Sequence, residues 1–338
     1  MTAPWSAAAT PASAPGAPWR RHDVRARDRR PSTSLDTGWS WPRAIVRLLR
    51  TATIVATGVL RLSWLGMVRM EPDARAWRTR ACIRTLAAAL LRTLHVRVQV
   101  AGPRPAEPVL YACNHLSWLD VLVLLVAVPD CVLVAKREVA RWPLVGGVVR
   151  RSDTVLVDRV RSRSLPHAIA QVAAVLAGGR SVALFAEGTT TDGSQVLPFK
   201  SSFFDAAIGT GAAVVPVSLR ASTGAGGPAV ARHVCWWGEA SLVQHLPLVA
   251  GTRQIQYFVR LGEPLRLLPV PSLAPTRYAV APAGADRALR RFRSVRRHLL
   301  ARRAHHVVQR QGGYASGGDA SDAQRRGIAI EQRLPHAR

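Results

Sequence analysis

Asn114, His115 and Asp120 stand in the run Asn-His-Leu-Ser-Trp-Leu-Asp, directly after the apolar stretch Val109–Cys113. A histidine leaving a strand, with a carboxylate five residues on, suits a general base and its orienter. The imidazole needs one nitrogen free to take a proton. An aspartate on the other nitrogen fixes that tautomer and stabilises the imidazolium. On one continuous helix a spacing of five would set the two about 140° apart. The pair can therefore meet only with His115 in a turn and Asp120 in the helix that follows. Alone, a His and an Asp at this spacing are more often surface polar residues than a catalytic pair.

Three more features sit at the ends of strand-like runs. Val155–Val157 delivers Asp158 and Arg159, and an arginine fork suits a phosphate or a carboxylate. Phe185-Ala186-Glu187-Gly188-Thr189-Thr190-Thr191 places a glycine where backbone can approach a ligand, beside three hydroxyls for phosphate or glyceryl oxygens. A turn rich in Gly, Thr and Asp needs no ligand to explain it. Val214-Val215-Pro216-Val217 reads as a core strand.

The elements that must position these residues alternate in type. Strand-like runs fall at Val96–Val100, Val109–Cys113, Cys131–Ala135, Thr154–Val157, Ser181–Phe185, Ala213–Leu219 and Ile255–Leu261. Helical patterns lie between several of them, at Trp118–Val128, Leu165–Ala177 and Ser202–Gly209. Such alternation predicts an α/β domain with a largely parallel sheet, whose chemistry collects where strand ends meet loops.

The chain has 338 residues and a net charge of +27, with a pI of about 11.7. Residues 95–270 carry only +6 of that charge, and the rest lies in the flanks. Only Lys136 and Lys200 are lysines. No zinc finger or aromatic–basic platform accompanies the arginines, so no nucleic-acid partner is expected. The four cysteines form no close pair, which excludes a disulfide scaffold or zinc ribbon, and no ligand spacing calls for a metal.

Four segments follow. Residues 1–42 are a basic Ala/Pro/Ser-rich tail expected to be disordered. Residues 43–94 hold two helical patterns. In the first, Arg43, Arg47, Arg50 and Arg61 fall within one narrow arc of an apolar helix, the pattern of a helix lying in a membrane interface with guanidinium groups among lipid phosphates. A helix packed on the protein's own core is the alternative. The longest uncharged run, Thr51 to Leu60, is half of the roughly 20 residues that span a bilayer, which leaves a tilted, snorkelling span as a third reading. Residues 95–270 form the catalytic domain. Residues 271–338 form a basic extension, helical over about Asp286–Arg310 and then low in complexity, whose helix reads as solvated or as a binder of anionic lipid or nucleic acid. A basic nucleic-acid- or membrane-binding protein without catalysis is the alternative class.

Taken together, the order and spacing of the four motifs resemble the glycerolipid acyltransferase family, in particular bacterial 1-acyl-glycerol-3-phosphate acyltransferases, from about Ser63 to Leu268. The family's Asn-His-x-x-x-x-Asp is matched by Asn114, His115 and Asp120. Its strand ending in arginine is matched by Val155–Arg159, its Phe-Pro-Glu-Gly-Thr-Arg by Phe185–Thr190, and its proline strand by Val214–Val217. The segment from Lys136 to Gly146 is similar to the family's connection between its first two motifs. Leu156, Ala186 and Thr190 depart from the pattern, and Thr190 removes one candidate phosphate clamp.

The resemblance implies an α/β fold with a mixed, largely parallel sheet flanked by helices and an N-terminal membrane-associated helical segment. It implies transfer of a fatty acyl chain from acyl carrier protein or acyl coenzyme A to the free hydroxyl of a lysolipid. The acceptor is expected to be 1-acyl-glycerol-3-phosphate, giving phosphatidate, with lyso-ornithine lipid as the alternative. His115 is then the general base and Asp120 its orienter. Asn114, Arg159, Glu187, Gly188, Thr189, Lys136 and Lys200 bind substrate, with Glu187 on a hydroxyl and Arg159 on the phosphate. No cofactor is needed beyond the acyl donor. The expected setting is the cytoplasmic face of a bacterial inner membrane.

Overall fold

The computed structural model describes residues 38–142, 145–158, 164–266 and 285–313, with side chains of the last stretch from 294 onward. Arg159, most of the expected 1–42 tail and the low-complexity end lie outside the described residues. In chain order, α1 (Trp41–Met67) and α2 (Pro72–Thr93) precede β1 (Val96–Ala101), β2 (Val109–Cys113), α3 (Leu119–Ala127) and β3 (Val132–Lys136). A 3-10 turn (Arg137–Arg141) leads to α4 (Val145–Arg151), β4 (Val155–Val157), α5 (Leu165–Ala177), β5 (Val182–Phe185), α6 (Phe204–Thr210) and β6 (Ala213–Ser222). Then come α7 (Val230–His233), α8 (Leu242–Gly251), β7 (Ile255–Leu261) and α9 (Ala285–Gly312).

The seven strands form one sheet in the order β1-β7-β6-β2-β5-β3-β4. Every neighbour pair is parallel except β6 with β7, so the sheet is mixed and largely parallel, as expected. All five residues of β2 are buried, because helices cover both faces of this central strand. Its odd residues Val109, Tyr111 and Cys113 pack in one core with residues of α3 and α8, and its even residues Leu110 and Ala112 pack in the other with residues of α5, α6 and α9. This period of two is why a run of five apolar residues can serve two cores at once.

The seven strands expected from sequence all form, β6 running on to Ser222 where it turns from β2 to pair with β7. The sequence reading did not find α4, α7 and α8. The first two are too short to show a period, and α8 carries Pro247 inside it. Its start is nonetheless capped, since Gln244 N–H donates to Ser241 Oγ at 3.2 Å.

The two arginine-rich helices turn opposite faces inward. In α1 the expected stripe divides. Arg50 and Arg61 are exposed, but Arg47 is only 6% exposed and points into the protein. Its Nη1 donates to the carbonyls of Ala250 and Thr252 at 3.1 and 2.5 Å, and its Nη2 to that of Arg253 at 3.1 Å. Arg43 Nη1 donates to the Gly38 and Gly251 carbonyls. These acceptors cluster at the C-terminal end of α8, where a helix collects unpaired carbonyls and partial negative charge. The expectation that this stripe meets lipid phosphate is therefore corrected for Arg43 and Arg47. Burial, with Arg43 adding to it, lowers the Arg47 pKa to about 10, which leaves it charged at neutral pH. In α9, by contrast, Leu300, Ala301, Ala304 and Val308 are buried against the sheet and Arg302, Arg303 and Arg310 face out. Arg297 pairs with Asp205 of α6 at 2.7 Å.

Candidate active site

The parallel strands β2, β3, β4 and β5 end on one edge of the sheet, where Cys113 registers with Phe185 and Lys136 with Val157. His115 leaves β2 in a turn and Asp120 lies in the first turn of α3, the arrangement their spacing demanded. His115 Nδ1 donates to Asp120 Oδ2 at 2.8 Å. The same oxygen accepts the N–H groups of Leu116 at 2.6 Å and Ser117 at 2.9 Å. Asp120 has no exposed side-chain surface, and these bonds, with the positive start of α3, help to hold its charge in the core. A carboxylate oxygen only accepts, so Nδ1 carries the hydrogen and Nε2 keeps a free lone pair. The imidazole lies flat on the Phe185 ring, centroids 3.7 Å apart and planes 10° apart, which fixes the direction of that lone pair.

The loop after β5 clamps the backbone of His115 on both sides. His115 N–H donates to Glu187 Oε1 at 2.6 Å, and Thr191 N–H donates to the His115 carbonyl at 3.0 Å. The other oxygen of Glu187 accepts Leu197 N–H at 2.7 Å. Both oxygens are thus engaged by backbone. Burial pushes the Glu187 carboxyl up to about 8, against the pull of those two N–H groups, with Asp120 adding to the rise. Asn114, expected to bind substrate, is fully buried and ties β2 to β6. Its Nδ2 donates to the Leu219 carbonyl at 3.0 Å, and Leu219 N–H donates to its Oδ1 at 2.7 Å.

Gly188 adopts φ of +78°, and a side chain there would collide with the Lys200 ammonium 2.8 Å away. Glycine is required for the backbone angle, while the exposed lysine could swing aside. Lys200, Thr189 and Lys136 are exposed, with Lys136 at the end of β3. Ser117, the hydroxyl inside the motif, is buried and accepts Leu119 N–H at 3.4 Å. Among the described residues no cluster of His, Cys, Asp and Glu could hold a metal. Phe185 and Tyr257, which contact the pair, were not singled out from sequence. Phe185 could have been found from its place just before Glu187, and Tyr257 from being the one hydroxyl among the inward residues Ile255, Tyr257, Val259 and Leu261.

A largely parallel sheet whose strand edge presents an aspartate-held histidine beside a glycine-hydroxyl loop has the geometry to take a proton from a hydroxyl group. An acyltransferase family profile matches residues 95–220. Lyso-ornithine lipid O-acyltransferase of Rhizobium meliloti is 35% identical over 210 residues, covering 59% of this chain and 69% of that protein. The 1-acyl-sn-glycerol-3-phosphate acyltransferase of Neisseria meningitidis serogroup B is 36% identical over 145 residues, 42% of this chain and 56% of that protein. In fold, the crystal structure of PlsC, the 1-acyl-sn-glycerophosphate acyltransferase of Thermotoga maritima, superposes with a TM-score of 0.50 at 21% identity, over 78% of this chain and 97% of that one. The chain belongs to the acyltransferase family, and it is an acyltransferase of lipid biosynthesis.

Proposed function

We propose that the enzyme moves a fatty acyl chain from a thioester donor, acyl carrier protein or acyl coenzyme A, to the free hydroxyl of a lysolipid. The observation that carries this reading is the 2.8 Å bond from His115 Nδ1 to the buried Asp120, which leaves Nε2 as a base. Nε2 takes the acceptor's hydroxyl proton as its oxygen attacks the thioester carbonyl. The carbon–sulfur bond then breaks, and the imidazolium returns the proton to the departing thiolate. No acyl-enzyme is needed, because the acceptor is itself the nucleophile.

The first reading of the acceptor is 1-acyl-glycerol-3-phosphate. Lys200 over Gly188 supports it as a cation on the loop that follows β5, and Arg159 is assigned the same role from sequence alone. The second reading is lyso-ornithine lipid, which has no phosphate. Thr190 favours it, by removing a cation, as does the longer alignment with the Rhizobium meliloti protein.

Both substrates live in or beside a bilayer, and α1 offers a surface for one. Trp41, Ile45, Val46, Leu49, Leu60, Trp64 and Met67 are all exposed. At 100° per residue they fall within about 140° of arc. No helix among the described residues is long and apolar enough to cross a membrane. The proposal is a helix lying in the interface of the cytoplasmic membrane, with its apolar face in the acyl region and Arg50 and Arg61 at the headgroups.

The test supplies purified enzyme in mild detergent with labelled acyl donor and both lysolipids in competition, beside His115→Ala. Phosphatidate formed by the wild type and lost in the variant supports the first reading. Transfer only to lyso-ornithine lipid overturns it in favour of the second. Undiminished transfer by His115→Ala removes the general base.

A further inference from the structure

Asp120 has a second oxygen that none of the family motifs accounts for. Its Oδ2 is saturated by His115 Nδ1, Leu116 N–H and Ser117 N–H. Its Oδ1 accepts the hydroxyl of Tyr257 at 2.7 Å. Tyr257 comes from β7, 137 residues along the chain and beyond the stretch 95–220 that the family profile matches. It registers with Val98 of β1 and Ala221 of β6, in the strip of sheet behind the catalytic turn, and it is fully buried. A phenol in such a core is costly unless its hydroxyl finds an acceptor, and phenylalanine would fill the same space without that cost.

We propose that Tyr257 is a positioning residue for the reaction, the third member of a Tyr257–Asp120–His115 relay. This rests on His115 acting as general base. By donating to Oδ1, the phenol locks rotation of the carboxylate, so that Oδ2 stays aimed at Nδ1. It also shares the negative charge of Asp120, which tempers the pull of Oδ2 on the Nδ1 hydrogen. The titratable groups facing Asp120 are His115 in the turn, Cys113 of β2, Glu187 after β5 and Cys235 after α7. None of them supplies a donor to Oδ1 among the described bonds. Loss of the phenol raises the proton affinity of the coupled Asp120–His115 pair, since either site binds a proton more readily once the carboxylate charge is less shared.

The experiment compares full-length wild type and Tyr257→Phe in mild detergent. The expected result is a kcat lower by about tenfold, from losing one hydrogen bond to a charged group. KM for both substrates stays unchanged, and the acid limb of the kcat profile moves to higher pH. A 3,5-difluorotyrosine at position 257, a stronger donor of nearly the same shape, moves that limb the opposite way. It also keeps the test alive if Tyr257→Phe folds poorly. Imidazole nitrogen resonances of His115, assigned by their absence from His115→Ala, follow the same titration without turnover. They separate this proposal from the acyl-transfer reading: their midpoint moves in Tyr257→Phe even if no lysolipid is acylated. A kcat and profile equal to wild type overturn the proposal. So does lost activity with an unmoved acid limb and an unmoved His115 titration, which would make Tyr257 packing alone.

Discussion

Asp120 and Arg47 are the same device with the signs reversed. Asp120 sits buried at the start of α3 and accepts backbone N–H groups there. Arg47 sits buried beside the end of α8 and donates to backbone carbonyls there. Each places the charge that a helix end favours. They differ in what is left over. Asp120 keeps bonding capacity for His115 and Tyr257, and so reaches chemistry. Arg47 directs its described bonds to main chain, and so acts as an anchor that fixes α1 on α8. A buried charge becomes catalytic only when the backbone leaves part of it unused.

That contrast can be broken from either side. His115→Ala should lower kcat by about a hundredfold to ten-thousandfold, with melting temperature close to wild type. A large loss of stability would mean that His115 is as structural as Arg47. Arg47→Leu should do the reverse. It strands the α8 carbonyls and costs on the order of 2–4 kcal/mol in chemical denaturation, while kcat in detergent changes little. Loss of kcat at full stability would give Arg47 a part in the site.

Glu187 lies between these extremes, a buried acid bound to backbone on both oxygens yet adjoining the base. Its carboxyl is raised from 4.5 to about 8, so the folded state holds a proton that the unfolded chain has released across that interval. Its contribution is full below about pH 4.5 and declines as pH rises towards 8, by on the order of a few kcal/mol. Glu187→Gln should flatten the pH dependence of stability in that window, and an unchanged slope would refute the assignment. The opposite sign is expected at His245. Burial lowers its pKa to about 4, and its Nδ1 accepts the Trp118 indole N–H at 3.0 Å. That stability is present above about pH 6.5 and lost as pH falls towards 4, so His245→Phe should reduce the acid sensitivity of unfolding. The smallest effect on the folded protein is expected from Leu49→Glu with Trp64→Glu. Stability and detergent activity should hold, and sedimentation with anionic vesicles should fall severalfold.

The catalytic pair was legible because its logic is local. A strand, a turn and a helix start within seven residues bring His115 to Asp120, and the 114–120 spacing encodes that. The strands were legible for a similar reason, since a buried parallel sheet writes each strand as a short apolar run between breakers. Glu187 and Asn114 were found as residues, but not their bonds to the backbone of His115, Leu197 and Leu219, which have no sequence signature.

The arginines of α1 show the limit most plainly. The sequence placed Arg43, Arg47, Arg50 and Arg61 on one arc, and the helix keeps that arc. Which of them meets water and which meets protein depends on α8, an element that Pro247 hid from pattern reading and that lies some 200 residues away. Sequence alone determined the α/β layering, the family and the turn that brings His115 to Asp120, because helix and strand periods and turn spacings are short-range properties. Only the tertiary structure decided that the apolar side of α1 faces out, that Glu187 braces the base, and that Tyr257 reaches Asp120. Each of these depends on where a distant backbone carbonyl, N–H or hydroxyl comes to rest.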